Sequence, residues 1–175
     1  SSELRKDIVE VCYHSKAGHV GGSLSAIDIL NVLYFNELRI DPNNPKMENR
    51  DRFILSKGHI AEALYVTLAK RGFFAYSELD NFSGYNTKYI GHPNNKVAGV
   101  EMNTGALGHG LAIGVGLAIA AKKMGQDYRT YVLMGDGELA EGSIWESAMA
   151  AGHYKLDNLC AIVDRNHLQI SGCTE

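Results

Sequence analysis

Two apolar segments in the second half of the chain each end in a polar residue that could bind a metal ion. Tyr131–Met134 is followed by the carboxylate of Asp136, and Leu159–Val163 is followed by the amide of Asn166, thirty positions later (166 − 136). Ligands of parallel α/β sheets bind beyond the carboxyl ends of the strands, so we expect both side chains in one crevice. Carboxylate and amide oxygens suit Mg²⁺ or Ca²⁺, with a bound diphosphate supplying further oxygens.

The neighbours of these two residues fit the same chemistry. Leu168 could add a backbone carbonyl oxygen to the metal. Gly137 has no side chain, so its N–H can approach a phosphate oxygen closely. The sequence therefore predicts a metal–diphosphate site made by Asp136, Gly137, Asn166 and Leu168. Taken alone, a Gly-Asp-Gly run is more often an ordinary tight turn than part of a binding site.

Three histidines each follow a glycine at the end of a predicted element: His19, His59 and His92. A neutral imidazole donates or accepts single protons near pH 7, which suits chemistry at hydroxyl and carbonyl groups. One Gly-His pair is more often part of an ordinary loop, and three of them favour a functional role without establishing it. His109, in the glycine-rich turn, has two open interpretations: contact with a substrate, or a helix cap.

These residues must be positioned by alternating strands and helices. Apolar strands separated by helical segments are typical of an α/β fold, with a central, mostly parallel sheet and helices on both faces. The length favours a single domain spanning residues 1–175. The expected strands are 52–55, 131–134 and 159–163. The first expected helix is N-terminal and ends near 17–18, and the second is capped by Ser23 or Ser25. Further helices are expected at 60–71, 105–124 and 143–154, with a short one near 77–82.

Composition narrows the possible partners. The net charge is −3 and the pI about 6.1, so neither nucleic acid nor an anionic membrane is an expected partner. The longest apolar run, Leu111–Ala121, is too short to span a bilayer, and the N-terminus is not a signal peptide. The three cysteines, Cys12, Cys160 and Cys173, form no disulfide-like pattern, which favours the reducing cytoplasm.

Several segments together resemble the transketolase family. Gly18–Ser25 is similar to its GHPGGSLS segment, and Asp51–Tyr65 (DRFILSKGHIAEALY) to its DRFILSKGHAAPALY segment. Gly91-His92-Pro93 and Val100–Leu111 match a GHP loop and a glycine-rich turn. Gly-Asp-Gly with an asparagine thirty residues later resembles the thiamine-diphosphate signature. The residues after Gly-Asp-Gly, from Glu141 to Glu146, most resemble the form of transketolase that is split into two chains.

The resemblance implies a thiamine-diphosphate-binding fold and a role for each matching residue. Thiamine diphosphate and Mg²⁺ (or Ca²⁺) are the implied cofactors. Asp136, Asn166 and the Leu168 carbonyl would hold the metal, and Asn166 also belongs to the cofactor site. Gly137 and His59 would contact the diphosphate. Backbone groups of Gly105, Ala106 and Leu107 would line the aminopyrimidine, and His19, His92 and His59 would face the substrate. Glu141 would belong to a carboxylate network at a subunit interface.

The resemblance also implies an activity that needs a second protein. Transketolases transfer a two-carbon ketol unit from a ketose phosphate to an aldose phosphate, as in pentose phosphate metabolism. The chain has no sequence for the pyrimidine-binding domain, so it should work with a C-terminal pyrimidine-binding subunit in a hetero-oligomer, a dimer of heterodimers. The family's diphosphate-binding half normally continues past Glu175, so we expect the chain to be incomplete at its C-terminus. Among the departures from the family, Val20 replaces a proline, and Arg165 replaces a common asparagine.

Three alternatives remain open from the sequence. A 1-deoxyxylulose-5-phosphate synthase-like enzyme would share the cofactor and the Gly-Asp-Gly run. A non-catalytic assembly subunit would share the fold. A nicotinamide oxidoreductase is disfavoured, because Thr104–Gly110 is one residue shorter than the dehydrogenase turn and the chain contains no Tyr-x-x-x-Lys.

Overall fold

The computed structural model describes residues 1–174. These residues form two compact units. The first unit comprises residues 1–48 and 58–103, and the second comprises 49–57 together with the chain from 104 onward. The three Gly-His pairs belong to the first unit, and both predicted strand tips belong to the second.

The first unit is built on one buried helix. Helix α3 follows the strand Arg52–Leu55 (β1) in the sequence, spans Ala61–Arg71, and has buried residues at every position from 61 to 69. A helix that is apolar on nearly all sides must be covered by other elements. It is covered by α1 (Ser2–Ser15) and by α2 (Val20–Val32), which continues into a π-helical turn, Leu33–Glu37. Helix α3 ends at Gly72, which adopts a left-handed φ of 99° as a C-cap.

The start of α2 differs from the prediction. We expected Ser23 or Ser25 as the cap, but the helix begins at Val20, with His19 as its N-cap. The Ser23 hydroxyl does not cap the helix because it donates to the buried carboxylate of Glu62. A partner 39 residues away in the sequence has therefore moved the helix start by one turn.

The rest of the first unit is mostly loop, as predicted. A 3₁₀ helix spans Tyr76–Asn81, close to the expected short helix. Tyr89 and Phe82 are buried, and both rings pack edge-on against Tyr65 of α3. These aromatic contacts anchor the loop that carries His92.

The second unit contains a parallel sheet of three strands in the order β1-β2-β3. Strand β1 spans Arg52–Leu55, β2 spans Thr130–Gly135 and β3 spans Leu159–Asp164. The register pairs Leu55 with Leu133, and Gly135 with Asp164. Helices α4 (Gly110–Met124) and α5 (Gly142–His153) pack against each other, and α4 also covers the sheet. The predicted α/β class and parallel sheet are confirmed.

Two details of the second unit differ from the prediction or were not predicted. Helix α4 begins at Gly110 rather than at Gly105. Gly105 and Gly108 have φ of 146° and 86°, which no right-handed helix contains, so residues 104–109 form a turn. A small antiparallel hairpin, Leu168–Gln169 (β4) with Gly172–Cys173 (β5), was not predicted because two-residue strands carry no periodic pattern.

Helix α4 approaches the sheet through glycine and alanine. Its fifteen residues include Gly114, whose Cα faces the side chain of Val132 on β2. Within residues 1–174, neither α4 nor any other helix has both the length and the apolar character needed to cross a membrane. At Gly114 the missing side chain allows α4 to pack closely on β2.

Two glycines of α4 should respond oppositely to alanine. A Cβ at Gly114 would lie 2.5 Å from Val132 Cγ2, whereas a Cβ at Gly116 would meet nothing within 4 Å. We expect Gly114→Ala to lose about 1–3 kcal/mol through overpacking. Gly116→Ala should gain about 0.5–1 kcal/mol, because alanine loses less backbone entropy on folding than glycine. Urea unfolding of both variants checks this, and equal shifts would show that α4 does not pack as described.

Candidate functional site

The structure brings two of the three predicted histidines together. His19 is the exposed N-cap of α2, and His59 lies half-buried in the 3₁₀ turn Gly58–Ile60 that precedes α3. Their imidazole rings meet edge to face, with centroids 5.3 Å apart. Two adjacent imidazoles, one exposed, can exchange protons with a bound polar molecule. They form the candidate site of the first unit.

Glu62 organises the backbone around this pair. It is fully buried in α3, three positions after His59. Its Oε1 accepts hydrogen bonds from the His19 backbone N–H at 2.6 Å and from the Ser23 hydroxyl at 2.8 Å. Glu62 is not among the site residues predicted from the sequence. The available signal was a charged residue inside an apolar helix, at the position where the resembling segment has proline.

Cys12 completes the surroundings of Glu62. Its Sγ lies 3.8 Å from Glu62 Oε1, in hydrogen-bond contact. Burial, together with the Glu62 charge and this hydrogen bond, raises the pKa of Cys12 to about 12. Cys12 therefore stays a protonated thiol at neutral pH and acts as a weak donor rather than as a nucleophile.

His92 is attached to the same helix by its backbone. Its exposed side chain belongs to the Gly91-His92-Pro93 loop, and its carbonyl accepts a hydrogen bond of 2.8 Å from the Tyr65 hydroxyl. Burial raises the pKa of the Tyr65 phenol well above its ordinary value, so it remains a donor. Helix α3 thus fixes the backbone of His19 through Glu62 and that of His92 through Tyr65.

Asp136 directly follows β2 in the second unit, as the sequence predicted. Its Oδ1 accepts from the Gly137 N–H at 3.0 Å. Its Oδ2 accepts from the His167 N–H at 2.8 Å and from the Thr174 hydroxyl at 3.0 Å. Burial alone would raise the pKa of Asp136, but the hydrogen bonds from Thr174, His167 and Gly137 outweigh it and lower this pKa. The carboxylate is therefore ionised throughout the neutral range.

Asn166 lies in the turn that follows β3, and Leu168 is the first residue of β4. Asn166 Oδ1 accepts from the Leu168 N–H at 2.9 Å, which orders the turn. The bond from His167 N–H to Asp136 places this turn directly beside the Asp136 carboxylate. The two strand tips meet, as expected from adjacent parallel strands.

The donor set at this edge fits a hard cation that arrives with its own ligand. It offers one carboxylate (Asp136), one amide oxygen (Asn166) and one backbone carbonyl (Leu168). No cluster of three His, Cys, Asp or Glu side chains suited to a metal exists within residues 1–174. A cation here would therefore complete its shell with oxygens from a ligand such as a diphosphate, the usual arrangement for Mg²⁺.

The glycine-rich turn 104–109 is tied to the strand ends by another buried carboxylate. Glu138 is 2% exposed, and its Oε1 accepts from the Gly108 N–H at 2.8 Å and from the Ser56 hydroxyl. Its Oε2 accepts from the Gly135 N–H at 3.1 Å. Gly105, Ala106 and Leu107, the residues predicted to line the aminopyrimidine, lie in this turn, so Glu138 sets its position. Glu138 is not among the site residues predicted from the sequence.

Glu141 lies beside the same turn. It is exposed, serves as the N-cap residue of α5, and makes no capping hydrogen bond with its side chain. A Cβ at Gly108 would lie 2.6 Å from Glu141 Cβ, so only glycine permits this approach. Ser143 strengthens the contact by donating to the Gly108 carbonyl at 2.7 Å.

A buried ion pair joins the ends of the two outer strands. Lys57 Nζ, just after β1, lies 2.7 Å from Asp164 Oδ2 at the end of β3, with side-chain exposures of 2% and 7%. The pair spans the end of β2, where Asp136 begins its turn. It therefore holds together the edge that carries the strand-tip residues.

The sequence over residues 2–175 matches the family described as transketolase, thiamine diphosphate binding domain. The chain belongs to the transketolase N-terminal family. This transketolase domain is 57% identical to an apulose-4-phosphate transketolase subunit of Phocaeicola vulgatus, over the whole chain and 62% of that relative. It is 43% identical to the 6-deoxy-6-sulfo-D-fructose transketolase subunit SqwG of a Clostridium species, over 98% of the chain and 63% of that relative.

Solved transketolases share the fold of this transketolase domain. The transketolase of Leishmania mexicana superimposes with a TM-score of 0.93 at 33% identity, covering 98% of this chain and 27% of that one. The transketolase of Campylobacter jejuni superimposes with a TM-score of 0.92 at 38% identity, and the match covers 97% of this chain and 28% of that one. The chain thus spans a little over 60% of its split relatives and about a quarter of the single-chain enzymes.

The family match confirms the predicted resemblance, and the solved structures confirm the thiamine-diphosphate-binding fold. The turn 104–110 therefore belongs to a thiamine diphosphate domain rather than to a nicotinamide-binding one. The roles assigned to the individual residues stay predictions.

Proposed function

We propose that this chain belongs to the N-terminal subunit of a split transketolase. The enzyme would transfer a two-carbon ketol unit from a ketose phosphate to an aldose phosphate, together with a pyrimidine-binding partner subunit. The observation that carries the proposal is the ionised Asp136 carboxylate beside the Asn166 turn, in a chain of the thiamine diphosphate family. The names of the similar proteins support it, because each is a transketolase subunit.

Within this proposal the strand tips of the second unit hold the cofactor. Asp136, Asn166 and the Leu168 carbonyl bind Mg²⁺ or Ca²⁺, and the Gly137 N–H binds the diphosphate. Thiamine diphosphate supplies, when bound, the carbon nucleophile that ketol transfer requires. Backbone groups of Gly105, Ala106 and Leu107 orient the aminopyrimidine, and their own position depends on Glu138.

The histidines of the first unit serve the proton movements. His19 and His59 hold or move protons at the hydroxyl and carbonyl oxygens of the sugar, and His92 contributes from its loop. His59 also contacts the diphosphate. Glu141 belongs to a carboxylate network shared with the partner subunit, in an assembly that we propose is a dimer of heterodimers.

The substrate class is a sugar phosphate or a related anionic sugar. Two similar proteins, 57% and 49% identical, are named for apulose 4-phosphate, and a third, 43% identical, for a sulfonated fructose. Apulose 4-phosphate is therefore the first compound to test, followed by pentose phosphates and sulfonated sugars.

A two-stage experiment tests the proposal. Thiamine diphosphate is titrated by calorimetry into the intact protein, with and without Mg²⁺ and with and without its partner subunit. We expect binding that needs the metal and the partner. Ketose phosphate donors are then compared with pyruvate, which a 1-deoxyxylulose-5-phosphate synthase would use. Absence of cofactor binding in the complete assembly would instead support a non-catalytic assembly subunit.

A further inference from the structure

Glu62 is a carboxylate in a place where a carboxylate is costly. It is fully buried in α3, and its Oε2 has no hydrogen-bond partner among residues 1–174. A buried charged oxygen without a hydrogen bond opposes folding. An apolar residue would pack at this position without that cost. The carboxylate therefore calls for an explanation beyond stability.

The other oxygen of Glu62 explains how α2 begins. Helix N-termini leave backbone N–H groups unsatisfied, and the N-cap residue His19 provides no capping hydrogen bond of its own. Glu62 Oε1 accepts from the His19 N–H and from the Ser23 hydroxyl of the first turn. The positive end of the α2 dipole in turn stabilises the carboxylate. Glu62 thus caps α2 from a different helix.

The chain before His19 is fitted closely against this carboxylate. Gly18 has a φ of +120°, and a Cβ there would lie 2.6 Å from Cys12 Sγ and 3.1 Å from Glu62 Oε1. The backbone of residues 18 and 19 therefore has little freedom next to Glu62. Because His59 precedes Glu62 by three positions on the segment leading into α3, one short stretch of chain controls both imidazoles.

We propose that Glu62 is a positioning residue for His19. Its carboxylate holds the His19 backbone so that the His19 ring lies against His59, in the orientation that proton movement at the sugar requires. The catalytic consequence rests on the proposed transketolase function. The orientation of the ring does not, and it can be measured without turnover.

Two variants of Glu62 and one matched control separate positioning from general stability. Glu62→Ala removes the acceptor of the His19 N–H. Glu62→Gln keeps an acceptor oxygen and removes the charge. Ser23→Ala deletes a buried hydrogen bond to the same Glu62 oxygen but leaves the bond to His19 intact. It reports what loss of a hydrogen bond in this cluster does by itself.

The first readout is histidine side-chain NMR of the intact protein. In Glu62→Ala we expect the ring resonances of His19 and His59 to change, since the edge-to-face contact is lost. Ser23→Ala should leave them as in the wild type. Glu62→Gln should keep most of the wild-type signals.

The second readout is turnover of the complete two-subunit enzyme. We expect Glu62→Ala to lower kcat by about 10- to 100-fold, as displacement of an acid–base group by about 1 Å does. The affinity for thiamine diphosphate should change much less than kcat, because the hydrogen bond that is lost holds His19, which is not among the proposed cofactor ligands. Ser23→Ala should keep kcat near the wild-type value, and Glu62→Gln should recover most of the loss.

Each result has one meaning. Unchanged His19 and His59 signals and unchanged kcat in folded Glu62→Ala would overturn the inference. If Glu62→Ala does not fold, Glu62→Asp takes its place, because the shorter side chain keeps the charge but draws the acceptor back from the His19 N–H. Unchanged ring signals and unchanged kcat in Glu62→Asp would overturn the inference. If the wild-type assembly transfers no ketol unit, the proposed function fails, and the NMR comparison still tests the positioning by itself.

Discussion

Lys57→Ala should destabilise the protein by about 3–5 kcal/mol, the usual result of removing one partner from a buried ion pair. Lys57 Nζ and Asp164 Oδ2 are 2.7 Å apart, and both side chains are almost completely buried. The variant leaves the Asp164 carboxylate in an environment that cannot hydrate it. Because the pair connects the ends of β1 and β3, the loss should also loosen the edge that carries Asp136.

Two controls identify the cause of the Lys57→Ala effect. Lys57→Met combined with Asp164→Leu removes both charges and should recover most of the lost stability. Lys122→Ala breaks an ion pair of similar length, 2.6 Å to Asp157, whose side chains are 41% and 85% exposed, and should change little. Urea unfolding gives all three values. Similar midpoints for Lys57→Ala and Lys122→Ala would mean that the Lys57 pair is not buried in solution.

The sequence predicted the strands well because their signal is local. Three short apolar runs with polar ends specified β1, β2 and β3 to within one residue. Parallel strands place their carboxyl ends at one edge, so the neighbourhood of Asp136 and Asn166 followed from strand order alone. The contact between Asp136 and the turn at His167 agrees with that expectation.

The buried charged residues that organise each unit were not predicted, because their partners are distant in the sequence. Glu62 binds a backbone group 43 positions away, Lys57 pairs with a residue 107 positions away, and Glu138 bonds to residues 30 and 82 positions away. No local pattern encodes such contacts. For the same reason the predicted start of α2 was wrong, since the Ser23 hydroxyl donates to Glu62 instead of capping the helix.

Backbone conformation limited the prediction at the glycine-rich turn. Composition favoured a helix that begins at Gly105, because glycine and alanine recur throughout residues 105–124. The φ values of Gly105 and Gly108 are incompatible with a right-handed helix, so α4 begins only at Gly110. The turn brings the backbone of Gly108 close to Glu141. Glycine permits many conformations, so its identity alone did not choose between helix and turn.

Asp136→Ala should weaken metal-dependent binding of thiamine diphosphate by at least about 100-fold, more than loss of a residue that merely supports a ligand. Asp136 is the one carboxylate in the proposed metal set, and the amide and carbonyl oxygens of Asn166 and Leu168 carry no charge to replace it. Calorimetric titration of the complete two-subunit protein at fixed Mg²⁺ measures the change.

Thr174→Val is the matched control, since it removes one hydrogen bond to Asp136 Oδ2 and keeps the carboxylate. The pKa of Asp136 should rise toward its ordinary value in this variant, with a small loss of affinity near neutral pH. The stabilisation linked to the lowered pKa is present above the pKa of the unfolded chain, and it is lost as pH falls through the folded value. Asp136 therefore stays ionised between pH 6 and 8 in both proteins, because these pH values lie about two units or more above the ordinary pKa of an aspartate.

The comparison of the two variants decides whether the charge of Asp136 binds the metal or only orders the turn. If it binds the metal, Asp136→Ala loses the dependence on Mg²⁺ and Thr174→Val retains it. If it orders the turn through His167 and Thr174, both variants should weaken binding by similar factors and keep the metal dependence. Unchanged affinity in folded Asp136→Ala would remove Asp136 from the metal site, and with it the observation on which the proposed function depends.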